Sequence, residues 1–415
     1  MTQWSPVWKI EINSVEYTDV TLANLTISSG RTNIYEQAQA GYANVTLINL
    51  NQTSVPIQIN DSLSIQVKDT SATFIPIFGG SVVDVGIEVS EAGSSAYTQS
   101  VNIIALGALA RLPKALTDGV LSQDFDGTQI ATILQQVLFA QWQEVPAALT
   151  WATYDPVTTW ANAENTGFGE IDQPGNYELA ARTSSRTDVY SLVAALATSG
   201  LGYLYEDSQG LISYADSDHR STYLSVNGYT ELSANEALAQ GIKIQTRAGD
   251  VRNNITIKYD ANSSSEVSDS DLASIGLYGD LAQIITTTIK HQADAEDQAA
   301  FYLDLRAYPQ PNFNAITFAL TNPELGDADR DALINIFMGL PVSIIDLPLN
   351  MNSGAFQGFV EGWNFSASYN ELSLTFLASP LAFSLQAMRW NSVPVVEAWN
   401  TVSNTLTWEN ATIVA

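Results

Sequence analysis

The chain contains no cysteine among its 415 residues. Disulfide bonds, thiol nucleophiles and cysteine-ligated zinc sites are therefore excluded. Without covalent crosslinks the fold depends on packing alone, and hydrophobic residues, at 46% of the sequence, are numerous enough to build a large core.

Basic residues are scarce. Sixteen Lys and Arg stand against 44 Asp and Glu, so the formal net charge is −28. Proteins that hold nucleic acid do so largely by neutralising phosphates with Lys and Arg. The composition therefore argues against tight DNA binding, and with only 14% charged residues it also argues against a disordered chain.

Long uninterrupted hydrophobic runs are also absent. The longest apolar stretch, ALINIFMGLPVSIIDLPL, contains Asn335, Gly339, Pro341 and Asp346, so we expect no membrane-spanning helix. The N-terminus enters a strand pattern at once, with no basic start followed by an apolar run. We therefore expect no secretory signal and synthesis in a cytoplasm.

Histidine occurs twice. His219 lies in ADSDHR beside Asp216 and Asp218, an arrangement that suits a weak metal site or half of a catalytic triad. Such a cluster at the end of a strand is more often a solvated turn, which is what we expect. His291 opens an acidic helix and is expected on its surface.

Other catalytic or ligand-binding motifs are not found. GDADRDA has three aspartates at calcium-loop spacing, but Ala332 and Met338 stand where such a loop needs Gly and Glu. We interpret it as the first turn of a helix, where acidic side chains suit the dipole. The sequence has no phosphate-binding glycine loop, no G-x-S-x-G and no H-E-x-x-H. We predict no catalytic, cofactor-binding or metal-binding residues, no cofactor, and a protein that is not an enzyme.

In the first 110 residues, apolar and polar residues alternate in short runs, and turn residues lie between the runs. This period of two predicts strands with one buried face, in a β-barrel or sandwich. The alternating residues are Trp8, Ile10 and Ile12; Val45 and Leu47; Leu63, Ile65 and Val67; and Val101 and Ile103.

The period changes near Arg111. DFDGTQIATILQQVLFAQW and RTDVYSLVAALATSG have helical spacing, with Asp126 or Thr128 available to cap the first helix and Gly200 as a left-handed cap of the second. A hairpin turning at Asp207 to Gly210 follows. Residues 111–230 are therefore predicted to form an α+β insert domain.

Strand patterns resume after the insert. Residues 231–385 are predicted to form a second β block with one helix, from Asp294 to before Pro309, and a mobile surface loop near 260–275. Residues 386–415 form an extension that carries Trp390, Trp399 and Trp408, which either anchors to the core or docks on a partner.

One strand motif occurs twice. FIPIFGGSVVDVGIEVS and SGAFQGFVEGWNFSAS share an aromatic residue, a glycine and a valine at alternate positions. Glycine inside a strand is costly unless a bulge or a close backbone approach requires it. We predict that the two β blocks are duplicates and that this motif occupies equivalent strands. The matching residues are Phe78, Gly80 and Val82 in the first block, and Phe356, Gly358 and Val360 in the second.

The order of these segments resembles a known family. VWKIEINSVEYTDVTLANLTISSGRTNIYEQAQAGYANVTLINLN, then IFGGSVVDVGIEVS and VNIIALGALARL, are similar to the N-terminal β domain of phage minor tail proteins and, more broadly, to the baseplate hub family. The resemblance covers most of residues 5–380. It implies two tail-tube-like β-barrel or sandwich domains interrupted by a helix-containing domain. It also implies a homotrimer whose six barrels match a sixfold tube and continue the DNA channel.

The resemblance further implies partners and a location. The partners would be a tail-tube or distal-tail ring, the tape-measure protein, and a receptor-binding fibre or spike. DNA would pass without tight binding. The protein would be part of the virion, at the tail tip or baseplate, after assembly in the host cytoplasm.

Contacts between subunits are expected at several positions. We place Arg31 and Arg111 at such contacts, each with a carboxylate partner, and include the three C-terminal tryptophans as candidates. The polar loop RTNIYEQAQAG is long enough to reach a neighbour. We expect the surface around the axis to be net acidic, with the basic residues at subunit contacts or on the outside.

Two alternatives remain open. A cell-wall-degrading tail enzyme would use His219 with its aspartates. A β-rich carbohydrate-binding module would use the aromatic C-terminal segment.

Overall fold

The computed structural model describes residues 4–18, 20–34, 36–49, 56–92, 97–141, 170–237, 243–309, 311–349, 351, 354–368 and 370–381. Trp390, Trp399, Trp408 and much of the segment 151–185 lie outside these residues. In the described residues the structure is mainly β, with three α-helices between the two β blocks, where the sequence pattern predicts helices, and three more within the second block.

The first β block is antiparallel. The alternating residues named above are buried along one face of its strands, apart from the half-buried Trp8, which is why these segments extend and pair. The strands are β1 (Trp8–Ile12), β2 (Val15–Glu16), β3 (Val20–Gly30), β4 (Gln39–Asn49), β5 (Ser62–Lys68), β6 (Phe74–Ala92) and β7 (Tyr97–Leu106).

The insert begins with a 3₁₀ helix at Ala108–Lys114. Both predicted helices and the predicted hairpin are confirmed. The elements are β8 (Leu116–Thr117), β9 (Asp124–Phe125), α1 (Asp126–Gln141), β10 (Glu178–Leu179), β11 (Thr187–Asp188), α2 (Val189–Ser199), β12 (Tyr203–Glu206), β13 (Ile212–Ala215) and α3 (His219–Asn227). In the described residues no helix has both the length and the apolar character needed to cross a membrane.

The end of α2 differs from the prediction. Gly200 has a φ of −82°, so it is not the left-handed cap, and the positive φ of 54° falls on Leu201. Glycine is required at position 200 for space, because a Cβ there would lie 2.5 Å from an Asp126 carboxylate oxygen and 2.7 Å from the Tyr214 hydroxyl.

The elements of the second β block are β14 (Thr230–Ser233), β15 (Lys243–Thr246), β16 (Asn254–Tyr259), β17 (Ser265–Ser270), α4 (Leu272–Tyr278), β18 (Ala282–Thr286), α5 (Gln292–Arg306), β19 (Pro311–Ala319), α6 (Asp327–Ile334), β20 (Pro341–Ile345), β21 (Phe356–Ser368) and β22 (Glu371–Pro380). The elements from β16 to α5 form an excursion between the strands β15 and β19. The predicted helix before Pro309 is α5, and GDADRDA begins α6 as predicted.

The prediction of a surface loop near 260–275 is wrong. Positive φ angles at Asp260, Asn262 and Ser263 turn the chain, and SEVSDS then pairs as β17 along β16. Its polar composition reflects an exposed edge strand, whose side chains face water on most positions. The sequence patterns did not indicate α4, which lies in this block together with α5 and the helix that GDADRDA begins.

The two β blocks are joined into one sheet. β3 pairs with β21 in antiparallel register, from Gly30 opposite Gly362 to Leu25 opposite Ala367. The resulting sheet has 13 strands, in the order β15-β19-β22-β21-β3-β4-β7-β6-β5-β1-β2, with β20 beside β21 and β14 beside β20. Among the described residues these pairs form an open path and do not close a barrel.

The insert packs against the excursion between β15 and β19. Backbone hydrogen bonds join Ala180 to Thr288 and Lys290 to Glu178, and the buried Gln298 amide donates to the Ser199 carbonyl at the end of α2. The helix-containing part of the molecule is therefore built from two separated segments of the chain, which local sequence patterns did not indicate.

Candidate functional site at two bulged strands

β6 and β21 occupy the same position in their own blocks. The strand order β5-β6-β7-β4-β3 in the first block corresponds to β20-β21-β22-β19-β15 in the second. Every neighbouring pair in both series is antiparallel. The repeated sequence motif therefore lies on equivalent strands.

In β6, the motif builds a close backbone contact followed by a bulge. A Cβ on Gly80 would lie 2.5 Å from the Leu106 carbonyl oxygen and 2.8 Å from Cζ of Phe78. The register against β7 then shifts after Val82, which leaves Val83 as the extra residue.

In β21, the same device recurs. A Cβ on Gly358 would lie 2.1 Å from the Ser379 carbonyl oxygen and 2.7 Å from a ring carbon of Phe356. The register against β22 shifts after Val360, and the extra residue is Glu361. Glycine at both sites lets the phenylalanine ring lie over the backbone.

The correspondence extends to the neighbours of the two strands. Val82 and Val360 each exchange backbone hydrogen bonds with the segment before the preceding strand, at Asn60 and Asp61 in one block and at Gly339 and Leu340 in the other. The facing residues also correspond, as Phe78–Ile65 and Gly80–Leu63 in the first block, and Phe356–Ile344 and Gly358–Val342 in the second.

The bulge in β21 carries a buried ion cluster. Glu361 Oε2 accepts from Arg31 Nε at 2.7 Å and from Arg220 Nη2 at 3.0 Å, and its Oε1 accepts from Arg220 Nη1 at 2.8 Å and from the Ser379 hydroxyl. The three charged side chains are 1–7% exposed. The cluster therefore ties β21 to the end of β3 and to α3 of the insert.

Aromatic rings complete this cluster. The guanidinium carbons of Arg220 and Arg31 lie 4.5 and 5.4 Å from the Tyr203 ring centroid, and that of Arg220 lies 5.2 Å from the Phe359 ring. Cation–π attraction is stronger in desolvated surroundings. The rings thus help to hold two guanidinium groups against a single carboxylate.

Burial and charge act in opposite directions on Glu361. Desolvation raises its pKa, but the two guanidinium charges and their hydrogen bonds outweigh burial, and the pKa falls to about 2. Burial lowers the pKa of Arg31, and the Arg220 charge lowers it further against the opposing effect of Glu361. The cluster is ionised throughout the physiological range.

Two cavities adjoin the cluster. One, of about 110 Å³, lies between the insert and the excursion, with Arg31, Arg220 and Asp216 in its wall. The other, of about 540 Å³, is a groove over the β3–β21 junction, bordered by Trp363 and Phe376.

The polar loop after β3 folds onto its own chain. The Gln37 side chain donates to the Thr198 hydroxyl and the Gly202 carbonyl, both at 3.2 Å, and accepts from the Leu204 amide at 2.8 Å. Tyr190 also donates its hydroxyl proton to the Ala38 carbonyl. The described part of this loop therefore fastens the insert to the first β block, where a contact with a neighbouring subunit was expected.

Two further carboxyl groups are buried in the insert, and the hydrogen-bond donors that they contact are uncharged. Asp126 does not cap α1 but accepts from the Tyr177 amide at 2.9 Å and from the Tyr214 hydroxyl, and burial raises its pKa to about 6. Glu206 accepts from the amides of Gly41 and Leu109, and burial raises its pKa to about 7. Both groups therefore remain protonated to a higher pH than an exposed carboxyl group does.

His219 is not in a solvated turn, which corrects the expectation. It begins α3 with 3% of its surface exposed, and its Nδ1 lies 2.7 Å from Oδ2 of Asp172. Asp216 accepts from the backbone amides of Asp218 and His219 at 3.0 Å each. Burial and the nearby Asp172 charge raise the pKa of Asp216 to about 7. The aspartate that pairs with the imidazole is thus 47 residues away in sequence.

His291 behaves as expected. Its side chain is 54% exposed at the start of α5, and its Nε2 lies 2.6 Å from Oε2 of Glu178. This is an exposed pair of the kind that contributes little to stability.

The arginines predicted at interfaces are engaged within the chain. Arg31 has the expected carboxylate partner, but Glu361 belongs to the same chain. Arg111 donates to the Ser81 hydroxyl on β6. Their role at subunit contacts stays a prediction, and the three C-terminal tryptophans lie outside the described residues.

Within the described ranges, no group of three or more acidic or histidine side chains is arranged to hold a metal ion. Both carboxylate oxygens of Glu361 accept hydrogen bonds from side chains of the same chain, so the cluster joins segments of the fold. Sequence reasoning missed Glu361 and Arg220. The available signal was a glutamate inside the apolar strand GFVEGWNF, which indicates a buried charge with a partner.

Solved structures share this fold. The tail protein from Neisseria meningitidis MC58 matches over 92% of this chain and 98% of its own, with a TM-score of 0.60 and 11% identity. The 43 kDa tail protein of prophage MuSo2 from Shewanella oneidensis matches over 91% and 99%, with a TM-score of 0.53 and 11% identity. No family model and no curated protein sequence matches. The chain therefore has the fold of these tail proteins.

Proposed function

We propose that this protein is a structural component of a phage tail tip or baseplate hub, acting as a homotrimer that docks the tail tube and continues its DNA channel. Each chain contributes two tube-like β domains, residues 1–110 and 231–385. The insert, 111–230, lies outside the ring and contacts other tail proteins, and residues 386–415 extend from the second domain.

The observation that carries this proposal is the repeated bulged strand. Phe78 and Phe356 occupy equivalent positions in two blocks of the same strand order, in a chain with the fold of tail proteins. Three chains with two copies each present six equivalent blocks around an axis. A threefold object of this kind can contact a sixfold ring with equivalent surfaces.

The charge distribution supports a conduit. Four of the basic side chains, Arg31, Arg220, Arg306 and Arg330, are buried in contacts within the chain. Six carboxyl residues are buried in the described part of the chain as well, so burial leaves the large excess of acidic residues at the surface, and a trimer has a formal charge of three times −28, or −84. An acidic wall repels DNA phosphates, so the genome slides through without being held.

The partners follow from this position. A tail-tube or distal-tail ring lies above the trimer, the end of the tape-measure protein lies inside it, and a receptor-binding fibre or spike lies below. The protein is located in the virion at the tail tip, after assembly in the host cytoplasm.

Oligomeric mass tests the proposal. Mass photometry with negative-stain imaging should show rings at three times 44.9 kDa, about 135 kDa. A monomer at all accessible concentrations, or a two-fold dimer, would contradict it. Duplex DNA should bind weakly at low salt, and tight salt-sensitive binding would contradict the conduit role.

A further inference from the structure

The outer half of β6 has an open edge. One side of β6 pairs with β7, and the other side, its outer edge, pairs with β5 only as far as Ser81. In the parts of the chain that the structure describes, no strand pairs with this outer edge from Asp84 to Val89. In β21, β20 likewise stops at Phe359, but the residues beyond the bulge pair with β3. The same edge is thus covered in one copy and open in the other.

Side-chain exposure shows the same difference. Ile87 and Val89 of β6 are 59% and 52% exposed, although they lie on the face that carries the buried Val101. The equivalent β21 residues, Phe365 and Ala367, are 1% and 2% exposed. An apolar pair is left in water where its counterpart is covered.

The strand equivalent to β3 also has an open edge. Following the register across the sheet, Val82, Ala105, Ala43 and Ile27 form one row, and Val360, Ala378, Phe313 and Ile244 form the matching row. β15 is therefore the counterpart of β3. It lies at one end of the 13-stranded sheet and, within the described ranges, pairs only with β19.

We propose that β15 of one copy adds as an antiparallel strand to the outer edge of β6 in the next copy, repeating between chains the β3–β21 pairing seen within the chain. This inference rests on the proposed trimer and assigns its interface. The register carried over from β3 and β21 pairs Lys243 with Glu88, Ile244 with Ile87, Gln245 with Gly86, Thr246 with Val85 and Arg247 with Asp84.

Charge supports this register. It brings both basic residues of the β15 segment, Lys243 and Arg247, opposite the two acidic residues of the β6 edge, Asp84 and Glu88. In a chain with 44 acidic and 16 basic residues, two opposite-charge pairs on one face of the paired strands, with the Gln245–Gly86 pair between them, favour this register over its neighbours. The contact is heterologous, head to tail, and such contacts generate rings when the rotation closes.

The β3–β21 junction within the chain and the proposed β15–β6 contact between chains differ in the side chains that hold the strands together. Val83 stands where β21 has Glu361, so the proposed contact has no buried ion cluster. The carboxylates on β6, Asp84 and Glu88, are exposed, so salt screens them. The interface therefore forms from chains that are already folded, and it weakens as salt rises.

Disulfide trapping tests the pairing directly, because the chain has no cysteine of its own. Glu88→Cys combined with Lys243→Cys should form covalent dimers and trimers on mild oxidation, ending at three chains. Six strands separate β15 from β6 within one chain, and an intrachain bond would leave the mass of the chain unchanged on a denaturing gel, so covalent dimers and trimers report bonds between chains. The two single variants are controls, and neither should form trimers.

A second pair tests the other end of the sheet. Val15→Cys with Lys243→Cys should remain uncrosslinked, and a trimer trapped by this pair would place β2 at the interface and overturn the inference. A native trimer by mass that Glu88→Cys/Lys243→Cys does not trap would also overturn it while leaving the proposed function intact. A native monomer under all conditions would overturn both.

Charge reversal provides a readout without crosslinking. Glu88→Lys and Lys243→Glu should each raise the half-assembly concentration about fivefold or more, and the double variant should recover most of the loss. Equal losses in the single and double variants would contradict the register. Unchanged thermal unfolding of the dilute monomers would show that the effect concerns assembly.

Discussion

The bulges of β6 and β21 share one backbone plan and differ in what surrounds them. Both place a glycine under a phenylalanine ring and insert one extra residue after a valine. In β21 the extra residue is Glu361, locked to Arg31 and Arg220, and the strand beyond it is covered by β3. In β6 it is Val83, and none of the strands that the structure describes covers the part of β6 beyond it.

The difference shows that one backbone plan can stand in two different surroundings within one chain. Backbone geometry is retained because glycine and the bulge set the direction of the strand in both copies. A buried ion cluster occurs only where three segments of one chain converge and remain together. At the open copy, exposed charges and an apolar pair suit a contact that forms later between chains.

Removing the carboxylate should have the largest effect. Glu361→Ala leaves two buried guanidinium groups facing each other, and we expect a loss of about 3–5 kcal/mol in the free energy of unfolding. Urea unfolding followed by circular dichroism measures it. The matched control is Val83→Ala at the equivalent bulge, which should cost about 1 kcal/mol. Equal losses at both sites would refute a special role for the cluster.

Filling the space under the phenylalanine rings should have the second-largest effect on stability. Gly358→Ala places a methyl group 2.1 Å from the Ser379 carbonyl oxygen, and Gly80→Ala places one 2.5 Å from that of Leu106. We expect losses of about 1–3 kcal/mol for each, with Gly358 the more sensitive. Gly86→Ala is the control, since its nearest atoms lie 4.0 Å away, and it should change the melting temperature little.

The stability contributed by a buried carboxyl group that is paired with cations and by one that is not should depend on pH in opposite directions. The pKa of Glu361, about 2, is below its ordinary 4.5, so its stabilisation is complete above 4.5 and lost as pH falls through about 2. Burial raises the pKa of Glu206 from 4.5 to about 7, so stability falls as pH rises through that interval and is level above it.

The Glu206 contribution can be isolated by substitution. From pH 5 to pH 8 Glu206 alone should lower the free energy of unfolding by on the order of 2 kcal/mol, and Asp126, Asp207 and Asp216, whose pKa values burial also raises, should add to the fall. Glu206→Gln should remove its own share and make the dependence shallower. A wild-type protein more stable at pH 8 than at pH 5 would contradict the assignment.

The smallest expected effect is on folding at the open edge. Ile87→Ser should change the unfolding free energy of the dilute monomer by less than about 0.5 kcal/mol, because the side chain is 59% exposed. Phe365→Ser at the equivalent covered position should cost several times more. If the two substitutions destabilise the monomer equally, the contrast between the edges is wrong.

Much of the fold follows from local patterns. Alternation predicted the strands of both blocks, helical spacing predicted α1, α2 and α5, and the paired motif predicted equivalent strands. The errors are also local in origin. SEVSDS has the composition of a loop but pairs as an edge strand, and Gly200 resembles a helix cap but is required by the approach of Asp126 and Tyr214.

The sequence by itself determined that the fold has no disulfide, that the surface is acidic and that one strand motif is used twice, because these depend on composition and spacing alone. Only the tertiary structure decided that Arg31 meets Glu361, 330 residues away, that Asp172 pairs with His219, and that β3 covers β21 while β6 stays open. Such contacts depend on which strands become neighbours and in what register, and that choice is made by long-range packing, which no local window of sequence contains.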